Sequence, residues 1–212
     1  MMRPAGLSAS FGAIRRKIAG WLIVGLVALG LGCAGRHSAP VAGSESGGVP
    51  DLRGRQVMLF PVQSVRGLAE DMDAELELAF ALTGRGSQVL WILPAEIRSA
   101  LARSPGLQVP IDALPVGMFL QAEVDRVGDP LFGYLRRLGA LTGADLALIP
   151  VEIRYRAAAD TVPGATEIAA ALLSARNGRV FWFGVVEGQG GGADDPGSLA
   201  SAADALARRL VR

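Results

Sequence analysis

Along this chain the spacing of apolar residues switches repeatedly between strand-like runs and helical stripes. Gln56-Val57-Met58-Leu59-Phe60-Pro61-Val62 is a short, nearly continuous apolar run, the pattern of a strand buried on both faces. Behind it, Glu70 and Asp71 place negative charge where a helix begins, and Met72, Leu76, Ala79 and Phe80 recur at helical spacing up to Gly84. Gln88 to Ile92 predicts a second strand, and Pro94 opens a helix that carries Ile97 and Leu101 inward before Pro105-Gly106 ends it. Residues 105–128 are punctuated by Pro105, Pro110 and Pro115, and Met118-Phe119-Leu120 within them fits either a short strand or a helical turn. Asp129-Pro130 starts a helix whose stripe is Leu131, Leu135, Leu138 and Thr142, with Gly143 as its cap.

The last third reads as sheet followed by helix. Leu146–Ile149 and Val151–Tyr155 form one strand interrupted by Pro150, which has no N–H for a ladder and so predicts a bulge or an edge. Beyond it Val151, Ile153 and Tyr155 alternate with Glu152, Arg154 and Arg156, which predicts a solvated face. Asn177-Gly178 between the apolar runs Ile168–Ala175 and Val180–Val186 is a strong hairpin signal. A glycine-rich connector, Gly188 to Gly192, precedes a final helix that starts at Asp195-Pro196 and carries Leu199, Ala203, Leu206 and Leu210 on one side. The order β-α-β-α-α-β-β-β-α predicts an α/β (α+β-like) sandwich of two or three layers with a mixed sheet.

The amino terminus follows different rules. Basic residues through Arg15-Arg16-Lys17 lead into the apolar run Ile18 to Leu31, and small residues follow up to Cys33, as in a secretory signal. The run is shorter than the roughly 20 apolar residues that cross a bilayer. Ile14 before the arginine pair and Ile18-Ala19 after it fit a twin-arginine signal poorly. Leu29-Gly30-Leu31-Gly32-Cys33-Ala34-Gly35 contains the only cysteine of the chain, and it resembles the lipobox of bacterial lipoproteins. Gly30 stands where that family usually has leucine. The resemblance implies cleavage between Gly32 and Cys33, diacylglycerol on the Cys33 thiol and attachment to membrane lipid. Ala34 after the cysteine, in place of aspartate, implies an outer-membrane destination with the folded part in the periplasm. The domain reading is a signal peptide at 1–32, a lipidated flexible tether at 33–50 and one α/β domain at 51–212. The Gly-, Ser-, Ala- and Pro-rich tether would span ~20–25 Å as a random coil.

Charge narrows the function classes. Four of the 21 basic side chains (Arg3, Arg15, Arg16 and Lys17) precede Cys33, and the remainder carries three more acids than bases. No basic stripe for nucleic acid results. The single histidine, His37, falls in the tether, so neither a Ser–His–Asp triad, a Cys–His pair nor a histidine-containing zinc site is assembled from the domain. Gly30-Leu31-Gly32-Cys33-Ala34-Gly35 matches G-x-G-x-x-G only formally, because no strand–helix turn surrounds it. Glu70, Asp71, Asp73, Glu75 and Glu77 lack EF-hand spacing and read as a helix terminus and solvated face. No catalytic, cofactor or metal-ligating residue is assigned.

Three segments carry a second resemblance: Val57 to Val62, Leu138 to Asp145, and the hairpin Leu172 to Trp182. Together they are similar to the amino-terminal domain of TolB and to envelope lipoproteins of the curli-secretion and penicillin-binding-protein-activator type, across residues 55–211. The resemblance implies a non-catalytic binding or assembly module with an envelope protein or peptidoglycan-associated partner. The expected partner surface is Glu152, Arg154 and Arg156 together with the 105–128 loop, since long loops on compact domains tend to carry function. Two alternatives are a hydrolase using carboxylates such as Asp145 or Glu152, and a structural subunit that self-associates through its hairpin or an edge strand.

Overall fold

The computed structural model describes residues 40–211. The expected signal segment 1–32 with Gly32, the expected anchor Cys33 and the expected tether through residue 39 lie outside the described residues. Seven strands, β1 (Glu45–Gly47), β2 (Gln56–Leu59), β3 (Val65–Arg66), β4 (Leu90–Ile92), β5 (Leu146–Arg156), β6 (Ala165–Ser174) and β7 (Val180–Gly190), form one sheet in the order β1-β7-β6-β5-β2-β4, with β3 paired to β5. The pairs β1–β7, β7–β6 and β6–β5 are antiparallel; β5–β2, β2–β4 and β3–β5 are parallel. The helices are α1 (Ala74–Arg85), α2 (Pro94–Ala102), α3 (Leu131–Thr142) and α4 (Pro196–Leu210), plus a 3-10 turn at Gly117–Leu120. The fold is therefore an α/β sandwich with a mixed sheet, as the sequence order predicts.

Alternation along the central strands builds two cores. Val57 and Leu59 of β2, Leu146 and Leu148 of β5, and Ile168, Ala170 and Leu172 of β6 join α1 and α4 on one face. Met58 and Phe60, Ala147, Ile149 and Val151, and Ala169, Ala171 and Leu173 join α2, α3 and the 105–128 segment on the other. Helices on both faces make three layers, and strands buried on both sides must be apolar throughout. All ten residues of β6 are buried.

Several local readings need correction. The apolar stripe of α1 lies two residues away from the expected one: Ala74, Leu78 and Leu82 are buried, whereas Leu76 and Phe80 are 67% and 73% exposed. Both stripes repeat every four residues, so periodicity alone does not choose between them. The helix starts one residue after Asp73, whose Oδ1 accepts from Leu76 N at 2.9 Å, and not at Glu70-Asp71. Residues 40–48, expected in the free tether, are held against the domain. Gly43 N donates to Val185 O at 2.8 Å and Gly48 N to Phe181 O at 2.8 Å, and β1 lies between them on the outer edge of β7. Backbone pairing of this kind leaves no apolar signature. Strand β7 continues through Gly190, so the first three of the five residues of the expected glycine-rich connector are sheet. Gly188 is required there by close approach: a Cβ would lie 2.5 Å from Ser198 O of α4.

Pro150 marks a bulge in a central strand, not an edge. The β5–β6 register shifts between Pro150 and Glu152, and this moves Ile153 into the first core after Ile149 and Val151 in the second. Glu152, Arg154 and Arg156 are thereby turned to the face of the second core, just beyond its apolar end.

The packing of α1 on α4 is tied by charge at its rim. Asp204 accepts from Arg85 and from Arg208, with Arg85 Nη2 at 3.1 Å. The hydrogen bond from Arg85, and secondarily the positive charges of Arg208 and Arg85, hold the Asp204 carboxyl below its ordinary value of 3.8 against an opposing desolvation. A depressed folded-state value stabilises the fold at pH above 3.8, and the contribution fades as pH falls through the lower, folded value. Asp204→Asn is therefore expected to flatten the acid limb of the stability profile. Urea unfolding at neutral pH and near pH ~3 measures this, and equal acid slopes in variant and parent would contradict it.

Candidate functional site

Where the apolar layer of the second core ends, β5, β6 and β7 continue with charged residues on the same face. Arg154 sits opposite Glu167 in the β5–β6 register, and Glu167 sits opposite Glu187 in the β6–β7 register. Two carboxylates side by side on neighbouring strands repel unless a cation bridges them. Arg156 supplies it, with Nε 2.9 Å from Glu167 Oε1 and Nη2 3.0 Å from Glu187 Oε1. Arg154 holds the other oxygen of Glu167, with Nε at 2.8 Å and Nη2 at 2.7 Å from Oε2. The same Nη2 donates to Pro40 O at 2.8 Å, so the chain entering β1 is tied to the ladder. Glu152 and Arg66 bring the charges to six: Glu152 faces Arg154 Nη1 at 3.6 Å and Arg66 Nε at 2.9 Å, the latter a charge contact without hydrogen-bond alignment.

The expected wet face is an ion-pair ladder in which two carboxylates are buried beneath half-buried Arg154 and Arg156, while Arg66 and Glu187 remain exposed. Glu152 is 4% exposed and Glu167 2%, while Arg154 is a little over a quarter exposed. The structure brings together the three residues expected as a partner surface, Glu152, Arg154 and Arg156. Sequence reasoning missed Arg66, Glu167 and Glu187. The available signal was Glu167 itself, an acid immediately before the unbroken apolar run of β6. Only the hairpin register shows that it opposes Arg154.

The 105–128 segment is mostly structural. Ile111, Leu114, Val116, Phe119 and Val127 are buried in the second core, and Phe119 stacks on Phe183 with centroids 5.7 Å apart. Gln63 pins the segment: its Nε2 donates to Ile111 O at 2.9 Å, and its Oε1 accepts from Leu114 N at 2.7 Å. What the segment offers outward is a groove of about 240 Å³ between the 3-10 turn and β1, with Phe119, Leu120 and Phe183 as floor and Ser44, Ser46 and Gln121 as polar rim. The groove and the ladder flank the same stretch of chain, Pro40 to Ser46.

The structure does not bring together the two carboxylates named for the hydrolase alternative. Asp145 and Glu152 are seven residues apart along a strand direction, about 20 Å at the usual rise. Asp145 pairs with Arg176 and Glu152 with Arg66 and Arg154, so each carboxylate is committed to guanidinium. Among the described residues no three His, Cys, Asp or Glu side chains come together as a metal site.

No family model matches the chain, and no curated protein matches it. Solved structures similar to this chain include the following. The LpoB C-terminal domain from Salmonella enterica is 16% identical, with 65% of this chain and 84% of that one covered and a TM-score of 0.44. A PelC dodecamer from Paraburkholderia phytofirmans is 15% identical, with 79% and 91% covered and a TM-score of 0.40. The lipoprotein GNA1162 from Neisseria meningitidis is 15% identical, with 63% and 81% covered and a TM-score of 0.35.

Proposed function

We propose that this chain is an envelope lipoprotein, anchored to the outer membrane through acylated Cys33, whose α/β domain binds a periplasmic protein partner and performs no chemistry. The observation that carries the anchoring is that the one cysteine in the chain closes the apolar run at Gly32-Cys33. Two acyl chains at ~0.8 kcal/mol per buried methylene make such an attachment effectively permanent, where a single chain is marginal. The non-catalytic reading is supported by the ladder, in which guanidinium groups occupy the carboxylates an acid–base mechanism would need. The partner surface is the apolar groove beside β1, because it is concave, has a polar rim and adjoins a rigid ion-paired scaffold.

Intact-mass measurement of the protein from its native membrane tests the anchor. The expected product begins at Cys33 and carries diacylglycerol mass, and Cys33→Ala is expected to retain residues 1–32 without acyl mass. A parent protein that keeps residues 1–32 and has no acyl group overturns the proposal. For the binding surface, a photo-crosslinking residue at Gln121 is expected to give a discrete protein adduct in intact cells. The same residue at exposed Arg55 serves as control, and equal labelling from both positions removes the groove from the proposal.

A further inference from the structure

The ion-pair ladder fastens two other pieces of chain at the end of the sheet where β5 and β7 finish and β6 begins. Arg156, Ala165 and Gly190 are level with one another across these three strands. Beyond them the β5–β6 hairpin ends in Ala157-Ala158-Ala159-Asp160-Thr161-Val162-Pro163, all exposed and with Asp160 as the one charge. This tip is tied to itself and to the ladder. Ala159 N donates to Val162 O at 3.0 Å and Val162 N to Ala159 O at 2.9 Å, and Arg156 Nη1 donates to Pro163 O at 3.2 Å. Pro40 reaches the same end, because β1 runs antiparallel to β7 and the residues before Glu45 continue toward Gly190. With Arg154 on the Pro40 carbonyl and Arg156 on that of Pro163, each proline is one guanidinium away from the carboxylate of Glu167. Val41, next to Pro40, and Val162 on the tip are both exposed.

Held in this way, residues 40–48 shorten the reach of an anchor at Cys33. Only residues 34–39 separate Cys33 from Pro40, a span of at most about 25 Å, whereas a chain free as far as Pro50 would extend about 60 Å. We infer that the end of the sheet formed by Val41 and the 157–163 tip rests on the surface of a zwitterionic phospholipid bilayer, with the rest of the domain standing away from it. This rests on the anchor at Cys33 proposed above. Two observations choose the occupant. The point where the chain enters the domain stays within six residues of the lipid, and the tip beside it presents small apolar side chains that gain by leaving water. The ladder's three arginines and three glutamates cancel, and Asp160 is the tip's single charge, so anionic lipid is not what draws this end down. Two valines and a few alanines would not hold a free domain to a membrane. Tied to an anchor, the same contact forms at high effective concentration.

Added tryptophans read the contact. The acylated protein is taken from its native membrane into phosphatidylcholine vesicles whose acyl chains carry bromine near the headgroup. Val162→Trp, Phe80→Trp and Leu141→Trp each replace an exposed apolar side chain, so the fold survives, which circular dichroism checks. Phe80 is the most exposed large apolar residue described, and Leu141 lies toward the other end of the sheet, ~30 Å away along β5. Relative to unbrominated lipid, most of the fluorescence added at 162 is expected to be quenched, and that added at 80 or 141 to be unchanged. Gly47 adopts φ 74°, and a Cβ there would collide with Phe181 O, so Gly47→Val unseats β1 and frees the chain as far as Pro50. It is expected to remove most of the quenching at 162. Vesicle-bound protein with no quenching at 162, with equal quenching at all three positions, or with quenching at 162 undiminished by Gly47→Val overturns the inference. Protein that does not float with the vesicles overturns the anchor, and the inference with it, and flotation is read separately from quenching.

Discussion

Arg154→Met is expected to destabilise the domain by about 3–5 kcal/mol, the range for leaving a buried carboxylate with too little compensation. The loss is concentrated on Glu167, which is almost fully buried and would keep only Arg156 on one oxygen after losing two contacts to Oε2. Glu152 would retain Arg66, whose side chain is mostly in solvent and therefore weakly restrained. The carbonyl of Pro40 would lose its donor, so the chain entering β1 would loosen at the same time. The diagnostic arm is the double variant Arg154→Met with Glu167→Leu. Replacing a whole buried pair by apolar groups is frequently close to neutral, so the double variant should be more stable than the single one. Arg156 would still have Glu187, and Glu152 would still have Arg66. Chemical denaturation of the three proteins decides the matter. A single-variant cost under ~1 kcal/mol would mean that the ladder is solvated and energetically slight, as surface pairs are.

That ladder also shows where a linear reading of the chain stops. Strand β2, helix α3, the β6–β7 hairpin and helix α4 are legible because an apolar period and a terminal signal coincide in each: Gly143 adopts φ 80° at the end of α3, and Gly178 adopts φ 71° in the turn. Strand β1 is not legible, since Glu45-Ser46-Gly47 pairs through its backbone and contributes almost no apolar surface. In α1 the residues themselves mislead, because Leu76 and Phe80 form as good a stripe as Leu78 and Leu82. Burial there is decided by how α1 meets α4 and the sheet, a tertiary choice that also leaves two large apolar side chains facing outward. At the candidate site the strand alternation grouped three residues that the fold does bring together, but it did not show that Glu152 is buried among ion pairs. The bulge after Pro150 sets which way Glu152 and Arg154 face, and the hairpin register then supplies Glu167 opposite Arg154 and Glu187 beside Glu167, where Arg156 bridges the two carboxylates. Both are pairing facts, invisible until one strand is placed against another.

Trp182→Ala is expected to cost about 3–5 kcal/mol, comparable to the loss at Arg154 but from a different source. Trp182 is fully buried in the first core, opposite Leu172 in the β6–β7 register, with the Arg209 guanidinium 5.8 Å from its ring and Glu45 of β1 bonded to that guanidinium. Removing the indole leaves a cavity under the point where α4 and β1 are fastened together. Its Nε1 is buried without a hydrogen-bond partner, so Trp182→Phe keeps most of the packing, discards an unsatisfied donor and should cost far less, under ~1.5 kcal/mol. Gly184 makes the shape argument testable. A Cβ there would lie 2.5 Å from Trp182 Cζ2 and 3.0 Å from Cε2, so the ring passes over the glycine with no room for a methyl group. Gly184→Ala alone should therefore cost about 1–3 kcal/mol by overpacking. In the Trp182→Phe background the obstructing benzo atoms are gone and the same change should cost less, leaving a coupling of order 1 kcal/mol in the double-mutant cycle. Additive penalties would show that Gly184 serves the strand backbone and not the indole, and the account of why this tryptophan holds the edge of the sheet would then be wrong.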